Sequence, residues 1–396
     1  MKILAFKLST IFLIPICLAI LYIVRVKYRV RIALLNVNRI GHLAINTEVT
    51  LREIRSKALH PERACKERVI LVAPSLPYHN ASNSQLIKMF SRHKNVYKSW
   101  FFYRFISVWY KFLLKTPFFF LTSHAMDGRE YKWFNDIEPT IEFNLDEIDK
   151  GNSVLNKIGI GSNKYVCIFQ RDSNFLRTKE SKGQEDRNCR DANINTMIPS
   201  IKYLIEKGYY VIRVGAHAEK KVSYKNKMFI DYPFTKYLSD FNDIYFIANS
   251  SFLVGATSGI CDVATLFDVP RLVVNSIPFG HSTIGKKTMF IPKKLSKKGS
   301  IVPFFDKHTK SLIEEFSCDV VKKKGYNYID NTEDEILDAV KDFIQYLSFD
   351  GILESDYLAD MNIYFNSYLN NTLYDSVKVP LCPSWYYDNY KLYYDA

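Results

Sequence analysis

The chain lacks most of the signatures that decide a function at sight. It has no Cys-x-x-Cys pair and no His/Cys set at zinc-ligand spacing, which excludes the common zinc modules and thioredoxin-like redox motifs. It has no RNA-binding signature and no Lys/Arg-rich helix of the DNA-reading kind, so no nucleic-acid partner is expected. No internal repeat of solenoid period is present, which removes repeat architectures. Its seven cysteines are odd in number and scattered, and Cys167 and Cys261 fall inside apolar runs. That pattern reads as reduced, structural thiols and favours a cytoplasmic body.

What is present is size, apolar content and positive charge. The 396 residues suffice for two domains, and a 47% hydrophobic content excludes wholesale disorder. The net charge of +13 suits an anionic membrane surface or a phosphorylated substrate. Leu8 to Val24 is an uncharged run preceded by Lys2 and Lys7 and followed by Arg25, Lys27, Arg29 and Arg31. No small-x-small cleavage site follows it. The reading is a single-pass transmembrane helix in the inner (cytoplasmic) membrane, its body held in the cytoplasm by the basic flank. A signal peptide and an interfacial helix are the alternatives.

Strand and helix patterns alternate through the body. Residues 31–36 and 69–73 read as buried strands, and 82–93 as an amphipathic helix. Val96 to Leu121 interleaves many aromatics with Lys98, Arg104, Lys111 and Lys115, which suits either a membrane-interface helix or an aromatic-rich core. A second alternating unit starts near Tyr165, with strands at 166–169 and 210–215 and a helix over 193–207 ended by Gly208. Ile230 to Tyr232 is short and extended, and 244–248 is a strand or a buried helix end. Gly285 to Gly299 carries six Lys and no acid and reads as a surface loop. Thr332-Glu-Asp-Glu335 is a capping box opening a helix to about Leu347. The expected organisation is an anchor over 1–30, a Rossmann-like domain over 31–150, a second over 151–347, and a tail over 348–396 that packs back on the domains, with closing helices returning to the first.

The most informative stretch is Ser250 to Asn275, which reads strand, small-residue turn, helix, Pro break, strand. Thr257, Ser258 and Gly259 stand where the first of these strands ends and the helix starts. Free backbone N–H groups at such a start suit a nucleotide diphosphate, although an ordinary strand-turn-helix crossover has the same pattern.

Two Rossmann-like units, Gly41-His42 after the first strand and the late Ser/Thr-Gly turn together resemble GT-B glycosyltransferases. The run Cys167-Ile-Phe-Gln-Arg-Asp-Ser-Asn-Phe-Leu176, with Asp191-Ala-Asn-Ile194, Gly208-Tyr-Tyr-Val-Ile-Arg-Val-Gly215 and Asp231-Tyr232, is similar to a family of glycosyltransferases found with bacterial surface-polysaccharide biosynthesis. Asn83 to Met89 with Arg92, and Phe290 to Leu295, fit the same pattern. The resemblance covers most of the chain after the anchor. It implies an α/β fold of two Rossmann-like domains facing a cleft, and transfer of a sugar from a nucleotide-sugar to a lipid-linked or glycan acceptor. The chain departs from the Glu-x7-Glu of some retaining members, having Asp262 and Asp268 on that helix, so the stereochemistry stays open. Asp-x-Asp, which holds a divalent ion in the metal-dependent GT-A class, is absent, so the expected reaction needs neither metal nor cofactor.

On that implication the roles distribute as follows. Arg171 is a candidate to bind the diphosphate with its fork of donors, and Asp172 to orient it. Arg213, Gly215, His217, Asp262 and Asn275 join Thr257, Ser258 and Gly259 on the donor side. His42 is the first candidate base, with Asp127 beside His124 as the second. A structural Arg–Asp pair and solvated loop histidines are the bland alternatives. A nucleotide-sugar epimerase, a pyruvyl-transferase-like enzyme and a non-catalytic membrane-associated assembly protein remain as other functions of the same scaffold.

Overall fold

The computed structural model describes residues 2–59, 67–122, 134, 136–172, 189–216, 218–278, 285–304, 308–312, 315–354, 356–357 and 379–392. The chain divides into two compact units, Met1–Asn144 and Leu145–Ala396. The division falls ahead of helix Leu145–Lys157 and keeps it whole, whereas a boundary at 150 would cut it.

The first unit carries helices α1 (Lys2–Thr10) and α2 (Leu13–Arg25), then parallel strands β1 (Arg29–Leu34), β2 (Glu67–Ala73) and β3 (Val96–Lys98) in the order β1-β2-β3. Helices α3 (Thr47–Leu59), α4 (Ser84–Phe90) and α5 (Trp100–Leu113) accompany the strands. Asn83 and Ser99 accept from the third backbone N–H beyond them, which fixes where α4 and α5 start. On α5, Tyr103, Phe105, Ile106 and Leu113 are buried while Trp100, Phe101, Phe102 and Phe112 are exposed. The aromatic segment is therefore core on one side and surface on the other.

The expected single spanning helix is not confirmed. No single helix among the described residues is long and apolar enough to cross a membrane; a pair, Leu4–Thr10 and Leu13–Arg25, passes by length and composition but is bent by 50°. Pro15 explains the break, because it cannot donate to the carbonyl of Ile11 and its ring collides with that group in a continuous helix.

A buried ion pair locks α3 to the end of the unit. Arg52 and Glu48 are fully buried, with Arg52 Nε 2.8 Å from Glu48 Oε1. Arg52 also donates to the carbonyls of Ile137 and Phe134, and Thr140 donates to both Glu48 oxygens.

The second unit is built on a six-stranded parallel sheet: β4 (Tyr165–Phe169), β5 (Tyr210–Arg213), β6 (Phe229–Asp231), β7 (Leu253–Gly255), β8 (Arg271–Ser276) and β9 (Thr288–Pro292). Their order is β6-β5-β4-β7-β8-β9, with every neighbouring pair parallel. A small antiparallel sheet, β11-β10-β12, follows, of β10 (Lys294–Lys297), β11 (Ser300–Val302) and β12 (Tyr326–Ile329). The helices of this unit are α6 (Leu145–Lys157), α7 (Ile198–Glu206), α8 (Asp240–Ala248), α9 (Asp262–Leu266), α10 (Cys318–Lys323), α11 (Glu333–Ser348) and α12 (Pro383–Asp388). The capping box of Thr332 and Glu335 is formed.

Three sequence expectations change here, and one resolves between its alternatives. Gly285 to Gly299 is two strands rather than a loop, because Met289, Phe290, Ile291 and Leu295 are buried and the lysines flank them. Of the two readings of 244–248, the buried helix end is the one found: these residues close α8, which the Ser239 cap starts. The tail belongs to the second unit: Ser384 bonds the Asp342 carboxylate on α11, and Cys382 N donates to the Phe290 carbonyl. The cysteines are not all reduced, since Cys189 and Cys318 form a disulfide across 129 residues, a separation that no local spacing reveals. The cytoplasmic reading of the body therefore loses its thiol argument and keeps only the basic flank. Cys17, Cys167, Cys261 and Cys382 are free.

Two outcomes follow from this architecture. Arg52→Ala leaves the Glu48 carboxylate buried without its partner and should destabilise the first unit by about 3–5 kcal/mol. Trp100, Trp109 and Trp133 lie in that unit against Trp385 in the other, so denaturant unfolding read by tryptophan fluorescence reports it. A loss below about 1 kcal/mol, the range of a surface pair, would contradict the burial. Peptide mapping without reductant should recover Cys189 linked to Cys318, and finding both thiols free in protein denatured without reductant would contradict the pairing.

Candidate functional site

Numbered from β4, the sheet runs 3-2-1-4-5-6, the order of a complete doubly wound sheet, whose switch point lies between β4 and β7. In such a sheet the crossovers leave the two strands flanking the switch point in opposite directions, which opens a crevice beyond their carboxyl ends. The chain beyond β4 is Gln170-Arg171-Asp172, and beyond β7 it is Ala256 to Gly259.

The β7 turn hugs β4. Ala256 N donates to the Phe169 carbonyl, and a Cβ on Gly255 would lie 2.7 Å from Cys261 Sγ and 3.1 Å from that same carbonyl. A side chain at 255 would therefore part the two strands. The backbone N–H groups of Thr257, Ser258, Gly259 and Ile260 find no acceptor among the described residues. Thr257, Ser258 and Gly259 are half-buried. Successive free N–H groups in a turn form a concavity suited to an anion. Helix α9 begins at Asp262 and has five residues, so it starts later than expected and its dipole contributes little. The cradle is the turn itself. Thr257 Oγ1 accepts from Ile277 N, which ties the turn to the end of β8.

Around this turn stand buried polar groups. Gln170 is 3% exposed, and neither its Nε2 nor its Oε1 has a partner among the described residues. Arg171 Nε lies 3.4 Å from Asp191 Oδ1. Burial pushes the Asp191 carboxyl up to about 6, against the opposing pull of Arg171 and Lys293. Lys293 is 1% exposed and donates to the Asp191 carbonyl and the Asp330 carboxylate; burial pulls its ammonium below its ordinary range. Asn275 has a positive φ of 53° and exchanges backbone and side-chain hydrogen bonds with Asn331, while its Nδ2 is buried without a partner among the described residues.

The other expected residues are engaged nearby. Asp172 accepts from Glu219 N and sits 3.9 Å from Arg213. Arg213 is buried against Asp231 and the Lys220 carbonyl. Gly215 has φ +108°, and a Cβ there would lie 2.7 Å from the Phe169 ring, so a glycine is required. Asp262 pairs with Arg271 at 3.1 Å. In the first unit, Gly41 and His42 open a π-helical turn, His42–Asn46, that runs into α3, rather than lying in a loop. His42 Nδ1 is 3.3 Å from Asn46 Nδ2. Asp127, His124 and His217 lie outside the described residues.

Sequence reasoning missed Gln170, Lys293, Asp330 and Asn331 as site residues. Lys293 was hidden among the other lysines of 285–299, and Asn331 stands just ahead of the capping box, where a polar residue draws no notice. Among the described residues no group of three His, Cys, Asp or Glu side chains is placed to hold a metal ion.

No protein-family model matches the sequence, and no curated protein matches it. Among solved structures, the chain is similar to the glycosyl transferase family 9 protein of Veillonella parvula DSM 2008, with a TM-score of 0.50 at 11% identity over 80% of this chain and 98% of the other. It also matches the iron-containing dodecameric glycosyltransferase TibC of enterotoxigenic E. coli H10407, TM-score 0.39, 11% identity, 82% and 81% covered. The E. coli ADP-heptose LPS heptosyltransferase II matches with a TM-score of 0.35 at 12% identity, covering 74% and 97%. The first likeness establishes the fold, an α/β architecture of parallel sheets similar to GT-B glycosyltransferases.

The Asp191 carboxyl gives this site a pH signature. Its folded value is raised from 3.8 to about 6, so its contribution to stability is least favourable above pH 6 and improves as the pH falls through 6. Asp191→Asn should therefore gain stability relative to the parent as the pH rises from 4.5 to 7, read as the difference in urea midpoint. A difference that stays flat over that range would contradict the burial of the carboxyl.

Proposed function

We propose that the chain is a glycosyltransferase that moves a sugar from a nucleotide-sugar donor to a lipid-linked or glycan acceptor in surface-polysaccharide synthesis, at the cytoplasmic face of a membrane. The observation that carries the donor half is the run of four backbone N–H groups at residues 257–260 with no acceptor among the described residues, set at the switch point of the 3-2-1-4-5-6 sheet. In this reading the diphosphate takes those four donors, and the fork of Arg171 neutralises the charge that develops on the leaving group. The positive groups replace a metal ion, so the reaction is metal-independent. Gln170 and Asn275 supply hydrogen-bonding groups to the uncharged parts of the donor, which their unpartnered buried atoms favour. His42, in the helical turn that runs into α3, is the proposed base toward the acceptor hydroxyl. The acceptor class rests on the sequence resemblance and on the basic, aromatic surface of the first unit.

Calorimetry of nucleotide-sugar binding to folded variants tests the donor site. Ser258→Ala removes one hydroxyl hydrogen bond to a charged group and should weaken binding by about 1.5–3 kcal/mol. Gly259→Val should abolish binding, because a branched side chain holds the diphosphate off the N–H groups. Arg171→Ala should weaken binding more than Arg171→Lys, which keeps the charge and loses the fork. Parent-like affinity in both turn variants would move the diphosphate elsewhere.

A further inference from the structure

Helices α1 and α2 do not behave as a segment waiting to thread a bilayer. One side of the pair is already spent on the first unit along its length. Thr10, Ile14 and Leu21 are buried. Trp109 Nε1 donates to Thr10 Oγ1 at 3.1 Å, the Phe6 ring meets Trp100 and Phe101, and Tyr22 meets Phe118 at 4.9 Å. Contacts to the body at both Phe6 and Tyr22 keep the two ends of the pair on the same side.

The opposite side is bare. Leu4, Leu8, Phe12, Ile16, Ile20 and Ile23 recur at helical spacing and are all exposed, Phe12 at 78% and Ile23 at 72%. Trp100, Phe101 and Phe102 at the start of α5 are exposed as well, the first two packed against Phe6. The charge around it has one sign. No Asp or Glu occurs between residues 1 and 47 or between 68 and 126, while Lys7, Arg25, Lys27, Lys98 and Lys111 do. The first unit holds 22 Lys and Arg against 9 Asp and Glu, and the second holds 32 against 32, so the whole surplus of +13 lies in the first unit.

We infer that the first unit docks in the plane of an anionic membrane, with the exposed stripe of α1 and α2 and the Trp100 end of α5 sunk into one leaflet and the cationic fringe on the lipid headgroups. Apolar contact supplies adhesion and the one-signed charge selects the surface. This attachment is separate from donor binding, which the second unit carries, so either can fail without the other.

Flotation of the full chain with vesicles tests it. Vesicles of phosphatidylcholine mixed with phosphatidylglycerol should bind at least about tenfold more tightly than phosphatidylcholine alone, and salt should weaken the binding. With protein added to preformed vesicles, a protease supplied outside should remove a tag placed before Met1. Phe12→Glu with Ile23→Glu alters only exposed positions and should release the protein at an unchanged Tm; Lys27→Glu with Lys111→Glu should lose the preference for anionic vesicles. A protected tag would overturn the inference in favour of a span. Equal binding to neutral vesicles, undiminished flotation of the Phe12/Ile23 variant, or a dimer that ignores vesicles would overturn it as well.

Discussion

Reversal of strand order between β4 and β7 is the constraint on which the second unit depends. The chain runs outward from β4 through β5 to β6 and then returns to the other side of β4 to lay down β7, β8 and β9. Helical crossovers on either flank cannot cover the point where the direction changes. The backbone there must end in turns, and the turn after β7 leaves N–H groups with no acceptor among the described residues. Gly255 and Gly215 keep the neighbourhood tight, each because a Cβ would strike β4 at the Phe169 carbonyl or ring. The cradle is thus a consequence of topology, and its residues need only be small.

Charge burial around that cradle follows from the same geometry. Asp191, Lys293 and Asp330 come from segments far apart in the chain and meet beyond the sheet. A carboxylate and an ammonium buried together cost desolvation that their attraction only partly offsets. The Cys189–Cys318 disulfide begins two residues before Asp191 and covalently fixes the segment that carries it. A turn whose amides find no acceptor among the described residues suits an anionic ligand better than an apolar one.

Legibility in the sequence tracked how local the physics is. Strands β1, β2, β4, β5, β7 and β8, the Thr332 capping box and the stop at Gly208 depend on residues within one turn or one alternation, and they read correctly. Residues 257–259 were found because small residues between two apolar runs mark a strand-to-helix turn. What failed depends on partners distant in sequence. Cys189 and Cys318 carry no spacing signal, and Lys293 looks like any surface lysine until β9 and β12 bring Asp330 to it. The N-terminal run read as a span on hydropathy alone; the effect of Pro15 and the docking of Thr10 on Trp109 lie outside what a hydropathy window measures.

The central claim is that an anion is bound by the free amides beyond β7 at the switch point. Hydrogen exchange of the full chain, with and without a nucleotide-sugar, examines those amides directly. The account predicts slowed exchange at residues 257–260 on adding the ligand, with little change in the buried amides of β8. Unchanged exchange at 257–260 under saturating ligand, with protection appearing elsewhere, would contradict it.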